Sequence, residues 1–278
     1  MRSAAAVHAR RALARAASAL LPAARSDGLR ILTYHRVNDS HPTDRLTVPS
    51  AAFRAQMQAI AARGRGVVRL HGAVEAMRRP GNSPAGLVAV TFDDGYRDNF
   101  TEALPILEES RIAATFFVAT GLIGSGHTIA RYRDCCSGDG MLDWAQVREM
   151  RGRGHDIGGH GRHHRELGLL SPADADAEVE GCALDIEAHT GERPRLFCYP
   201  RGSETPGARQ IVARHGFQAA CTVYPGCNLR GGPLLALRRT EISGDDDLRD
   251  FELKLQGGYD AWHLLLQALR RGRLRRPR

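Results

Sequence analysis

The sequence predicts an α/β fold, one barrel-sized domain of parallel strands joined by helical crossovers. The chain has 278 residues, 42% of them apolar, which suits one domain with a sizeable core. Short apolar runs recur at Leu29–Tyr34, Gly66–Leu70, Leu87–Phe92, Ala114–Ala119, His155–Gly159, Leu196–Tyr199 and Ala219–Val223. Helical patterns lie between them, and that alternation reads as parallel strands with helical connections.

Taken in order, the first run ends at His35. The third, Val88-Ala89-Val90-Thr91-Phe92, stops at Asp93-Asp94-Gly95, where glycine breaks the strand. Gly121 to Gly140 is glycine-rich and reads as a rim loop, and Asp143 is placed to cap a helix over Trp144 to Met150. The fifth run meets His160 through Gly158-Gly159. The clearest helix opens at Ser171-Pro172, an N-cap followed by proline in the first turn, and Gly191 stands as its stop. Ala175, Val179, Cys182 and Ile186 form its apolar stripe. The sixth run leads into Pro200-Arg201-Gly202.

Carboxylates at the C-terminal end of a buried strand lie where α/β proteins place their chemistry. Successive residues there point different ways, so one carboxylate can bind a metal while its neighbour faces the substrate. A solvated Asp-Asp-Gly turn is the bland alternative. His160 and His164 are four apart, a spacing that lets two imidazoles converge on one ion; His163 competes for the second position. One carboxylate oxygen with two imidazole nitrogens is the usual ligand set of a catalytic zinc-type site with room for water.

Thr91-Phe92-Asp93-Asp94-Gly95 and His160-Gly161-Arg162-His163-His164 resemble the first two motifs of the polysaccharide deacetylases, the NodB-homology group or carbohydrate esterase family 4. The resemblance extends to Leu32-Thr33-Tyr34-His35-Arg36-Val37, to Trp144 through Met150 and to Phe197-Cys198-Tyr199-Pro200-Arg201-Gly202. It covers the chain from about Leu29 to about Asp260. It implies a distorted (β/α) barrel of the NodB type, one divalent ion (zinc, with cobalt, nickel or manganese as alternatives) and hydrolysis of an N-acetyl group on a glycan. Carried over, Asp93 matches the catalytic base, and Asp94, His160 and His164 match the metal ligands. Arg201 follows Pro200 where the family supplies the oxyanion N–H. His35, Tyr199 and Pro200 are the expected substrate-facing residues, with a hydrogen-bonded structural histidine as the alternative reading of His35. The setting implied is exopolysaccharide or capsule assembly.

Gly161 stands where the family has Ser or Thr, and Cys198 where it has an arginine that pairs with the base. Arg239, in Leu237-Arg238-Arg239-Thr240, is the expected replacement. The family's late Leu-x-His acid has no clear match; His263 sits late enough but reads as a helix residue. An amide hydrolase of the same scaffold with a small non-sugar substrate, and a non-catalytic glycan-binding barrel, are the competing readings.

Six cysteines in a chain this long, with no Cys-x-x-Cys, read as reduced thiols rather than a disulfide or zinc framework. The net charge is +8, concentrated at the ends. The expected organisation is a basic Ala/Arg-rich arm over 1–27, a catalytic domain over 28–265 and an Arg-rich tail over 266–278. No convincing signal peptide or spanning segment is seen, which predicts a cytoplasmic or peripherally membrane-associated protein. The tails suit an anionic membrane surface or plain solvation, and no nucleic-acid motif accompanies them.

Overall fold

In a computed structural model, residues 28–62, 66–79, 81–125 and 140–260 are described, with the isolated positions 12, 13, 15, 16 and 129. The strands in chain order are β1 (Arg30–Tyr34), β2 (Arg36–Val37), β3 (Thr47–Val48), β4 (Val88–Phe92), β5 (Thr115–Val118), β6 (Asp156–Gly159), β7 (Leu196–Cys198), β8 (Ala219–Cys221) and β9 (Thr240–Glu241). The helices are α1 (Ser50–Ala62), α2 (Leu70–Arg78), α3 (Leu104–Glu109, entered through a π-turn over Asn99–Ala103), α4 (Trp144–Gly152), α5 (Pro172–Thr190), α6 (Pro206–Arg214) and α7 (Leu248–Leu255).

Seven strands form one parallel sheet in the order β8-β7-β6-β5-β4-β1-β9. The segment from Leu237 to Glu241 brings its two edges together. Leu237 bridges Cys221 at the end of β8, while Thr240 and Glu241 pair with Leu32 and Thr33 of β1. The sheet therefore curls into a distorted barrel with helices outside it, in a single domain. A buried ion pair, Arg30 to Asp260 at 2.9 Å, ties the first strand to the C-terminal end of the described chain.

One expected strand differs. Gly66–Leu70 makes a single bridge, Val67 to Val88, and Leu70 already opens α2. That edge of β4 is taken over from Thr91 onward by β5, which leaves room for one bridge only. The seventh stave is the polar pair Thr240–Glu241 instead.

The helix signals hold. Asp143 closes a capping box with Gln146, and Ser171 accepts from the Asp174 N–H. Gly191 ends α5 in the left-handed conformation, φ 76°, and Ala175, Val179, Cys182 and Ile186 are all buried. Glycine in β6 is required by close packing. A Cβ on Gly158 would lie 2.6 Å from the Phe117 ring, and one on Gly159 would lie 2.9 Å from the Cys182 sulfur. Among the described residues, Cys182, Cys198, Cys221 and Cys227 form no disulfide; Cys135 and Cys136 lie outside those residues.

Candidate active site

Asp93 and Asp94 follow directly on β4, and His160 follows on β6, two strands away across β5 in the same parallel sheet. All three therefore emerge at the C-terminal end of the barrel. Asp94 has left-handed backbone, φ 79°, as does His164, φ 57°. Non-glycine residues held in this region are strained, and such strain gathers at functional sites.

The two carboxylates meet different partners. The Asp94 Oδ1 atom lies 3.3 Å from Nε2 of His160 and 3.2 Å from Nε2 of His164. Nδ1 of His160 lies 2.8 Å from the Cys198 carbonyl. As the carbonyl can only accept, Nδ1 donates to it, and Nε2 is the nitrogen turned toward Asp94. His163 turns away. Its ring is largely exposed, and Nδ1 sits 2.7 Å from Glu178. The choice between His163 and His164, open in the sequence, falls geometrically to His164.

Asp93 is gripped by Arg239. Nη1 and Nη2 donate to Oδ1 and Oδ2, each at 2.7 Å, while Nε donates to the Thr222 carbonyl at 2.9 Å. Both residues are buried. The Cys198 sulfur completes the cluster, 2.9 Å from Nη2 of Arg239 and 3.5 Å from Asp93 Oδ2. Burial pushes the Asp93 carboxyl up, but the Arg239 charge and hydrogen bonds, helped by His160 and His35, hold it below the ordinary aspartate range. Asp94 lies well below that range: its burial is outweighed by hydrogen bonds from His160 and His164 and by charge on His164 and His35. Burial raises the Cys198 thiol, so the sulfur stays protonated near neutral pH.

The other expected site residues divide. His35 is near enough to Asp93, Asp94 and Glu241 to favour the ionised form of all three, and its buried Nδ1 has no hydrogen-bond partner among the described residues. Pro200 lies beside Gly161, where a Cβ would sit 3.6 Å from the proline ring. Arg201 has left-handed backbone, φ 54°, and its exposed guanidinium lies 3.5 Å from Glu166. Tyr199 needs correcting as a substrate-facing side chain. Cys198 faces the barrel interior, so Tyr199 faces the helices. Its ring packs against Phe197, and its hydroxyl donates to the Leu235 carbonyl at 3.0 Å. His263 lies outside the described residues.

Glu178 is a site residue that sequence reasoning missed. Its buried carboxylate accepts the backbone N–H groups of Arg162 and His163, at 3.0 and 2.8 Å, and holds the His163 ring. It thereby fixes the loop that presents His164. Gly161 begins that loop at φ 72°. A signal was available: Glu178 lies on the same helix face as Ala175, Val179 and Cys182.

The three nitrogen and oxygen atoms of Asp94, His160 and His164 suit a small divalent cation. Ligands about 2.0–2.1 Å from a tetrahedral ion stand roughly 3.3 Å apart, close to the two separations seen. Asp93, His160 and Cys198 also gather their ligand atoms within 4.8 Å, but there the Arg239 guanidinium already supplies the positive charge.

The polysaccharide deacetylase family matches residues 81–220, half of the chain. YxkH of Bacillus subtilis, which bears the family's name, is 26% identical over 215 residues, covering 77% of this chain and 71% of that one. The poly-beta-1,6-N-acetyl-D-glucosamine N-deacetylase of Escherichia coli is 28% identical over 260 residues, 81% of this chain and only 38% of that enzyme. Among solved structures, the deacetylase PplD of Streptococcus pyogenes, in complex with acetate, superposes with a TM-score of 0.72 at 23% identity, covering 82% of this chain and 98% of that one. The matched segment contains both the Asp93-Asp94 and the His160–His164 motifs, and the chain belongs to the polysaccharide deacetylase family.

Proposed function

We propose that this protein hydrolyses the N-acetyl group of an N-acetylated glycan, using a divalent ion held by Asp94, His160 and His164. The carrying observation is the division of labour between adjacent carboxylates: Asp94 faces two imidazoles and Asp93 faces a guanidinium. A bound ion, zinc being the one this donor set suits, would lower the pKa of a water toward ~7 and polarise the acetyl carbonyl. Asp93, kept ionised by Arg239, accepts the proton of the attacking water. The Arg201 backbone N–H is assigned to the developing oxyanion. As the C–N bond breaks, the nitrogen takes back the proton that Asp93 accepted from the water, leaving acetate and a free amine. The E. coli relative's named substrate supports a β-linked N-acetylglucosamine polymer as the first glycan to try.

The test is acetate release from a panel of N-acetylated glycans, lipid-linked ones included, before and after chelation. Release that stops on chelation and returns with added zinc, cobalt, nickel or manganese is expected. Release indifferent to chelation would remove the ion from the proposal. Saturable glycan binding with no acetate from any glycan would favour the non-catalytic barrel.

A further inference from the structure

At the opposite end of the barrel, around the N-terminal ends of β6 and β7, lies a cavity of about 410 Å³. Arg69, Arg148, Arg151, Arg193 and Arg195 line it, against the acids Asp156 and Glu192. Counting the arginines and carboxylates of the lining alone, the surplus is +3. Part of this basic character has a structural use. α4 and α5 end here, and cations offset the partial negative charge of helix C-termini. Arg151 pairs with Glu192 and donates to the Thr190 carbonyl at 2.9 Å, while Arg193 reaches Glu187, also at 2.9 Å. Arg69 stands 3.5 Å from Asp156.

That use does not account for the whole wall. The side chains of Arg148 and Arg195 make no ion pair or hydrogen bond among the described residues, though both line the cavity. His71 also lines it, and its buried Nε2 has no partner among the described residues. The His155 Nδ1 accepts the Ala114 N–H at 3.0 Å, so the hydrogen of that ring sits on Nε2. The cavity thus combines two uncommitted guanidiniums, two imidazoles and a surplus of positive charge.

We propose that this cavity binds a phosphate-bearing dianion of about pyrophosphate size, with Arg148, Arg195 and His71 as its principal partners. Guanidinium forks match phosphate oxygens in pairs, and a surplus of +3 calls for more than a single carboxylate. The volume lies within the ordinary range for small-ligand sites. The body of the barrel separates this cavity from Asp93, so its ligand is not the group being hydrolysed. The phosphate can come from a soluble diphosphate or from the headgroup of an anionic lipid.

Titration calorimetry of the full chain with inorganic pyrophosphate at ~0.15 M salt, where exposed charges are screened beyond ~8 Å, tests the proposal. One saturable site is expected. Arg148→Ser with Arg195→Ser, both exposed positions, should weaken it by roughly tenfold or more, with acetate release from a soluble substrate unchanged. Flotation with phosphatidic acid vesicles against phosphatidylcholine vesicles separates the sources. Substitution-sensitive vesicle binding assigns a lipid headgroup, and pyrophosphate binding alone assigns a soluble ligand. The proposal is overturned if neither ligand binds, or if the double substitution leaves binding unchanged.

Discussion

Asp94 takes left-handed backbone immediately after β4 delivers Asp93, and that turn sends two neighbouring carboxylates to partners of different kinds. An imidazole pair with a carboxylate leaves space for a cation. A guanidinium with a carboxylate is already neutral. Asp93→Asn is therefore expected to keep the bound metal and lose turnover by ~10²–10⁴-fold, the usual cost of a missing general base. Asp94→Asn, or His160→Ala with His164→Ala, should lose the metal itself. Metal analysis of purified variants beside their kinetics checks this, and metal retained without His160 and His164 would sink the ligand assignment. Arg239→Met leaves the Asp93 carboxylate buried without its counter-charge. Breaking a buried pair from one side costs ~3–5 kcal/mol, so denaturant unfolding should show a large loss. Turnover should fall while metal content holds; stability unchanged by the substitution would contradict the buried grip.

Elements act on the site through the loops they anchor. α5 reaches under the second histidine motif with Glu178, and the loop's backbone N–H groups end on that carboxylate. Glu178→Gln keeps the shape but exchanges one acceptor oxygen for a donor. Metal affinity should fall by ~10–100-fold, the usual effect of losing a group that orients ligands. Equilibrium competition with a chromogenic chelator measures it, and an unaltered affinity would reduce Glu178 to a packing residue. The closing strand β9 is fastened similarly. Glu241 pairs with Arg45, and its carbonyl accepts from Lys254 at 2.9 Å. Burial pushes the Glu241 carboxyl up, but Arg45 above all, then His35 and Lys254, bring it down to about 2. A carboxyl lowered on folding adds stability above its ordinary range and gives it up as pH falls toward the lowered value. The pair is partly exposed, with side chains 31% and 39% accessible, so the contribution should stay below ~1 kcal/mol. The difference in Tm between the native chain and Glu241→Gln should shrink as pH drops from about 5 to about 2. A difference that widens would reverse the sign.

At the scale of the whole molecule, the charge is unevenly placed. The arginines of the arm and of the tail lie outside the described residues, apart from Arg15, which pairs with Asp250 and Asp247 on and beside α7, each at 2.6 Å. Among the described residues, no helix is long and apolar enough to cross a membrane. The proposed role of the termini is surface attachment, each basic residue near an anionic bilayer contributing ~1 kcal/mol. Removing residues 270–278 and neutralising the arm's arginines other than Arg15 should leave acetate release from a soluble substrate nearly unchanged. Binding to anionic vesicles at low salt should fall sharply, and the difference from the full chain should shrink as salt rises. Full-length protein that ignores such vesicles at low salt would mark the tails as solvated.

The sequence by itself determined most of the scaffold, because its signals are local. Apolar runs, caps at Asp143 and Ser171 and the glycine stop at Gly191 each depend on residues a few positions apart. The two metal-type motifs were legible for the same reason: Asp93-Asp94 and His160 to His164 are short-range patterns. Glu178 was legible only as an anomaly, a carboxylate on an apolar helix face. Tertiary structure decided what spans distance. β9 is two residues long and polar, and it becomes a strand only because β1 offers its free edge and Leu237 meets Cys221. Arg239 reaches Asp93 across 146 residues of chain because barrel closure aims that stave inward. His164 is turned away from His163 by its own left-handed backbone and by the buried carboxylate that holds the His163 ring, neither of which leaves a mark in the spacing. Strand periodicity turns Tyr199 outward once Cys198 faces in, and the basic cavity gathers arginines from three separate segments that no linear pattern joins.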